Sequence, residues 1–96
     1  SWEQQKQNEE QKLLQYLNQK QSELAKYQEA INYYNQFGKK LSDEIIKVAN
    51  LSYKNGEIDF FQYIQSLENA TTIQVDHLDT LLQFNTIQLE LNYPNY

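Results

Sequence analysis

The sequence predicts an all-α protein: a long antiparallel coiled-coil helical hairpin whose return helix is interrupted. Only two Gly and one Pro occur among the 96 residues, so two long stretches contain no helix breaker. Apolar residues along the first stretch recur at alternating steps of three and four, which is the spacing of a coiled-coil seam. Both observations favour long helices that pair with other helices through one face.

The first helix is predicted over residues 3–37. Its seam has Lys20 in one slot and six apolar positions: Leu13, Leu17, Leu24, Tyr27, Ile31 and Tyr34. At about 1.5 Å per residue, a helix of this length is a rod of roughly 50 Å. A chain of this size does not surround such a rod, so the seam requires a partner helix alongside it.

A chain reversal, the tip of the hairpin, is predicted near residues 38–41. Gly38 is a suitable residue just past a helix C-terminus because it adopts the left-handed conformation without strain. Lys39 and Lys40 follow it, and positive charge is favourable at a helix C-terminus. The hairpin is therefore expected to turn at Gly38.

A second helix is predicted over residues 42–54. Ser42 is a suitable N-cap for it, and two acidic residues follow in its first turn. Leu41, Ile45 and Val48 continue the spacing of three and four, so this helix is expected to face the first one.

A joint is predicted at residues 55–58, because the dipeptide Asn55-Gly56 favours a tight turn. Asp59, followed three residues later by Gln62, matches the capping box that begins a helix. A third helix is therefore predicted over residues 59–92, with an apolar stripe broad enough to pack against more than one neighbour.

Residues 1–96 are interpreted as a single helical domain. Helices 42–54 and 59–92 are expected to run roughly collinear as the interrupted return of the hairpin. That return outruns helix 3–37, so the sequence predicts a domain excised from a larger protein, in which the first helix begins upstream of Ser1.

Composition and charge exclude several classes of function. The formal charge is −5, Arg is absent, and residues 55–96 carry six acids and no Lys, which argues against nucleic-acid binding. Zero Cys excludes disulfides and thiol nucleophiles, and no apolar run is long enough to span a bilayer. His77 does not share a helix face with the acids beside it, and no phosphate-binding loop is present. The sequence predicts neither an enzyme nor a metal or cofactor site.

Two segments resemble a known family. The first is the run 45–67, in which Tyr53-Lys54-Asn55-Gly56-Glu57-Ile58 precedes the cap at Asp59 and the aromatic pair Phe60-Phe61. The second is the run 81–91, which contains the aromatic-Asn pair Phe84-Asn85. Together they resemble the TolC-like outer membrane efflux factors, in particular the heavy-metal cation efflux branch, over roughly residues 30–93. In some bacteria such a segment is fused to the C-terminal end of a resistance-nodulation-division (RND) pump.

The resemblance implies a periplasmic location and a structural function. Members of this family are trimers whose outer membrane β-barrel continues into a periplasmic tunnel of helical hairpins. The tunnel is a conduit without catalysis, and its hairpin tips contact the periplasmic adaptor that joins it to the RND pump. The residues assigned to that contact are Phe37, Gly38, Lys39, Lys40 and Leu41. The residues assigned to a structural joint in the tunnel are Asn55, Gly56, Glu57, Ile58 and Asp59.

The sequence departs from the family because the membrane strands and the second half of the internal repeat are missing. The alternative is a free-standing helical hairpin that serves as a protein-interaction module, either a coiled-coil scaffold or a small secreted hairpin dimer. One such family carries Trp-x-Gly at its turn, whereas here Phe37-Gly38 stands there and the one Trp is Trp2. In either interpretation an isolated hairpin with an exposed seam is expected to self-associate.

Overall fold

The computed structural model describes residues 1–93 and consists of two antiparallel helical arms. The first arm has three contiguous parts: α1 (Trp2–Tyr33), a π-helical segment (Tyr34–Gly38) and α2 (Lys39–Lys54). The second arm is α3 (Phe60–Asn92), and both α1 and α2 pack against it. The described residues contain no strand and extend over 76 × 23 × 18 Å. The prediction of an all-α helical hairpin is confirmed.

The predicted break between helices 3–37 and 42–54 is wrong, because the chain remains helical through it. Gly38 has φ −61° and ψ −41°, which are helical values. Ser42 is not an N-cap but a buried residue inside α2, where its Oγ accepts a hydrogen bond from Gln74 Nε2 at 2.9 Å. A Gly inside a helix costs only about 1 kcal/mol relative to Ala, and packing against α3 offsets that cost.

Gly38 is required here by close packing rather than by a turn. A Cβ atom at this position would lie 2.8 Å from Cδ2 of Tyr34, closer than Cβ atoms approach other heavy atoms. The Tyr34 ring in turn stacks on His77 of α3, with ring centroids 3.7 Å apart and planes 8° from parallel. The absent side chain of Gly38 therefore makes room for an aromatic contact between the two arms.

The π-helical segment shifts the face that the first arm turns toward α3. A π turn holds one more residue than an α-helical turn, so it absorbs a one-residue insertion in the seam. The fully buried residues of α2 are Ser42 and Ala49, each one position after the Leu41 and Val48 that an unbroken spacing predicts. Leu41 and Val48 are instead 53% and 51% exposed, so their predicted place in the seam is wrong. Ile45 stays half-buried.

The core between the arms is thin. Ala49 and Ala70 are buried apolar residues, Ser42 and Gly38 are buried as well, and Ile87 is the one large apolar side chain that is buried within residues 1–93. Small residues let the two helices approach closely, but they remove little apolar surface from water. Many large apolar side chains remain exposed, which is expected of a hairpin that packs against further helices.

The two arms differ in length: the first arm is the longer one, whereas the sequence predicts a longer return. The first arm has 53 residues and α3 has 33, so the return helix does not outrun the first. Near the far end of α3, Lys20 and Glu90 form an ion pair at 3.0 Å. Their hydrogen bond raises the pKa of Lys20 above its ordinary value. Residues 1–16 lie beyond this pair and are exposed at every position.

Candidate interaction site

The chain reverses at residues 55–59, between α2 and α3. The Gly56 amide donates to the carbonyl of Tyr53 at 3.1 Å, and the Glu57 amide donates to that of Ser52 at 2.8 Å. These two bonds form a Schellman motif, which satisfies carbonyls that the end of α2 leaves unpaired. Gly56 has φ +73°, the left-handed conformation that this motif needs after the C-cap Asn55.

The start of α3 is capped as the sequence predicts. The Gln62 amide donates to Asp59 Oδ1 at 2.8 Å, and the Asp59 amide donates to Gln62 Oε1 at 3.0 Å. This is the predicted capping box, which is confirmed. The interpretation of residues 55–58 as a joint between collinear helices is wrong, because the Schellman motif and the capping box together reverse the chain.

Aromatic side chains brace the reversal from both arms. Tyr53 of α2 stacks on Tyr63 of α3, with centroids 4.7 Å apart, and meets Phe60 edge-on at 6.1 Å. The Tyr63 hydroxyl donates to Oδ1 of Asn50 at 2.6 Å, a second link between the arms. Such aromatic pairs contribute about 0.5–1.5 kcal/mol beyond the area they bury, so the turn is held in one conformation.

The tip of the hairpin presents apolar surface to solvent. Phe60 is 62% exposed and Phe61 is 77% exposed, and the charged side chains of Lys54 and Glu57 are exposed beside them. Exposed aromatic residues on a rigid frame, edged by charge, are typical of a protein-interaction site. We call this surface, formed by Tyr53, Lys54, Glu57, Phe60 and Phe61, the tip surface.

The residues assigned from the sequence to an adaptor contact at the tip do not lie at the tip. They lie about two-thirds of the way along the first arm, about 25 Å from the turn at the helical rise of 1.5 Å per residue. Gly38 is buried and unable to contact a partner, whereas Lys39 and Lys40 are exposed. Phe37 and Leu41 are also exposed and belong to an apolar stripe along the flank of α2.

The position of the turn had a signal in the sequence. Asn55-Gly56 and the Asp59 capping box are separated by only two residues, so helix end and helix start fall within one short connection. Connections of two to eight residues are common between antiparallel helices. The π-helical segment had no comparable signal, because its glycine is explained only by the ring of Tyr34 and that ring's contact with His77.

Other kinds of site find little support in the part of the chain that the structure describes. Within residues 1–93 no group of three or more His, Cys, Asp or Glu is placed to hold a metal ion. His77 is half-buried under the Tyr34 ring. Among the same residues, no helix combines the length and the apolar character that crossing a membrane requires, as the sequence predicts.

No protein-family model matches this chain, and neither the curated proteins nor the solved structures contain a significant match to it. The resemblance to the TolC-like family therefore depends on the two segments quoted above, and what it implies for function is a proposal.

Proposed function

We propose that this chain is a periplasmic α-helical hairpin of a TolC-like component in a tripartite RND-type efflux system, one that exports heavy-metal cations. In this proposal the chain catalyses nothing: it forms part of the wall of a conduit and binds the periplasmic adaptor protein through its tip. The location, the cargo and the partner come from the family resemblance, and the geometry supports the tip surface as the place of the contact.

The observation that carries the proposal is the tip surface. The segment with the strongest resemblance to the efflux family, residues 53–67, contains the chain reversal and the exposed aromatic pair Phe60-Phe61. A hairpin that binds a partner end-on needs a rigid turn and exposed apolar side chains whose burial stabilises the complex. The capped turn and its braced aromatic residues meet the first need, and the two Phe side chains meet the second.

The adaptor contact is therefore moved from residues 37–41 to the tip surface. Phe61 is the residue we expect to contribute most, because it is the most exposed of the apolar tip residues and makes no aromatic pair within the hairpin. Lys54 and Glu57 then lie at the rim of the contact, where charges affect the rate of association more than the affinity.

The test is binding of the full chain to the isolated helical hairpin of the adaptor encoded in the same genome. Phe61→Ala is expected to weaken binding about tenfold or more, as removal of a central aromatic contact does. Phe37→Ala is the matched control, because Phe37 is also an exposed Phe but lies in the π-helical segment. Equal affinity of the Phe61 variant and the parent, or a loss confined to the Phe37 variant, would contradict the proposal.

The same measurement separates the second interpretation, a free-standing hairpin scaffold. Such a scaffold has no reason to recognise an adaptor hairpin through its tip. A chain that fails to bind the adaptor while remaining folded, as monitored by circular dichroism, would favour the scaffold over the efflux component.

A further inference from the structure

A stripe of exposed residues follows the flank of the first arm near the turn. Its members recur at steps of four, three, four and three: Phe37, Leu41, Glu44, Val48 and Leu51. The four apolar members are 51–57% exposed, so the stripe is separate from the seam that packs on α3. The π-helical segment causes this separation, because it turns Ser42 and Ala49, rather than Leu41 and Val48, toward α3. We call it the first-arm stripe.

A groove between α2 and α3 borders the first-arm stripe. Its volume is about 400 Å³, and Leu41, Glu44 and Val48 of the stripe line it together with Ser66 and Asn69 of α3. A groove of this kind can receive side chains from a helix laid along the flank, as a knob enters a hole in a coiled coil.

A second stripe follows α3 on a face that the first arm does not cover. Its members recur at steps of three, four, three and four: Val75, Leu78, Leu82, Asn85 and Leu89. The four apolar members are 53–63% exposed, whereas Ala70 and Ile87, which belong to the seam with the first arm, are buried. We call it the α3 stripe. Each stripe spans fifteen residues, or roughly 21 Å of helix.

Positive charge is confined to the first arm, which also carries seven of the thirteen acids. All eight Lys lie in the first arm, and Lys40, Lys47 and Lys54 recur every seven residues alongside the first-arm stripe. They are exposed, and none of the three forms an ion pair within the part of the chain that the structure describes. In contrast, α3 has four acids and neither Lys nor Arg; Asp79 follows Leu78 of its stripe, whereas Asp76 borders a groove shared with Tyr34 and Gly38 of the first arm.

We propose that hairpins of this chain associate laterally, with the first-arm stripe of one copy packed against the α3 stripe of a second copy. Residues 37–54 carry four Lys and the two acids Asp43 and Glu44, so a net positive segment then meets the acidic α3 across the contact. Pairing α3 with α3 would bring acids together without a compensating cation, and pairing the two first-arm stripes would bring the lysines together. The contact is heterologous, so an open assembly keeps one free first-arm stripe at one end and one free α3 stripe at the other.

This inference concerns the flank of the hairpin and goes beyond the proposed tip contact. Lateral association stands whether or not the tip binds an adaptor, because the members of both stripes lie outside the tip surface. Failure of adaptor binding and failure of lateral association are therefore separate results.

The test is sedimentation of the full chain and of two stripe variants. The first variant is Leu41→Gln/Val48→Gln, which breaks the first-arm stripe, and the second is Leu78→Gln/Leu82→Gln, which breaks the α3 stripe. All four side chains are exposed in the single hairpin, so helical content and Tm are expected to stay close to those of the parent. The parent is expected to associate, and each variant alone to sediment as the 11.5 kDa monomer.

Mixing the two variants distinguishes the proposed contact from the symmetric ones. The first variant keeps an intact α3 stripe and the second keeps an intact first-arm stripe, so the mixture is expected to form a one-to-one dimer. A parent that stays monomeric, a variant that associates as tightly as the parent, or a mixture that stays monomeric would each overturn the proposal.

A charge exchange provides a second set of variants that leaves the apolar stripes untouched. Lys47→Glu is expected to weaken association of the parent by about tenfold, and so is Asp79→Lys. A mixture of the two single variants places the introduced glutamate of one copy against the introduced lysine of the other and is expected to recover part of the lost affinity. Association that responds neither to these changes nor to salt would refute the choice of partner surface.

Discussion

The two glycines of this chain lie in two regions that require glycine for opposite reasons. In the turn, Gly56 has φ +73°, and nothing lies within 4 Å of the place where a Cβ would be. In the π-helical segment, Gly38 has an ordinary helical φ of −61°, but a Cβ there would lie 2.8 Å from Tyr34. The first glycine is required by backbone conformation and the second by space. In this chain, the glycine that turns the backbone is the one with nothing packed against the place of its Cβ.

The largest expected effect comes from changing the length of the first arm. Deletion of Asn35 removes one residue from the π-helical segment and places Ser42 and Ala49 seven and fourteen residues after Tyr34, in step with α1. This deletion is expected to leave the hairpin folded with a similar free energy of unfolding. Deletion of the exposed Lys47 has no π turn to absorb it, so it is expected to cost about 2 kcal/mol or more.

Urea unfolding of the two deletion variants checks this pair. A loss as large for the Asn35 deletion as for the Lys47 deletion would mean that the π-helical segment does not absorb an extra residue. The packing of the π-helical segment would then no longer explain the glycine at position 38.

Gly38→Val is expected to have the next largest effect. Its side chain must displace the Tyr34 ring, which stacks on His77, and overpacking of this kind costs about 1–3 kcal/mol. Combination with Tyr34→Ala is expected to recover part of the loss, because the obstructing ring is then absent. A double variant whose loss equals the sum of the two single losses would show that Gly38 is not required by Tyr34.

Gly56→Ala is expected to cost about 1 kcal/mol, because an L-residue is strained at positive φ. Gly56→Asn is the matched control: Asn also adds a side chain but tolerates the left-handed region better, so its loss is expected to be smaller. Thermal unfolding of both variants decides whether conformation or space governs this position. Equal losses for Ala and Asn would point to space.

The smallest expected effect is that of Lys20→Gln, far from both glycines. Lys20 hydrogen-bonds Glu90, and this bond raises the pKa of Lys20 above its ordinary value of 10.5. A raised lysine pKa contributes stability that is complete below the unfolded pKa and is lost as the pH rises through the folded pKa.

The Tm difference between the parent and Lys20→Gln is therefore expected to be slight but present at neutral pH and to close as the pH rises above 10.5, through the raised pKa of Lys20. A difference that persists unchanged at the higher pH would show that the pair contributes through packing rather than through charge.

The structural elements that depend only on residues close together in the sequence were predictable from it. The long helices follow from the near absence of Gly and Pro, and the start of α3 follows from Asp59 and Gln62, which form the expected capping box. The break at Asn55-Gly56 was also predicted, but the reversal of the chain there was not. A turn signal does not indicate whether the next helix continues in the same direction or runs back.

What only the tertiary structure decided is which glycine turns the chain and which residues form the seam. Leu41 and Val48 have the more apolar side chains, yet Ser42 and Ala49 are buried against α3. The chain does not turn at Gly38 because one Gly inside a helix costs only about 1 kcal/mol, which contacts with a second helix easily exceed. The sequence by itself determined the helices, the turn and the cap, because those depend on contacts within a few residues. The seam, and the stripe it leaves exposed, depend on residues about thirty positions apart, such as Ser42 and Ala70.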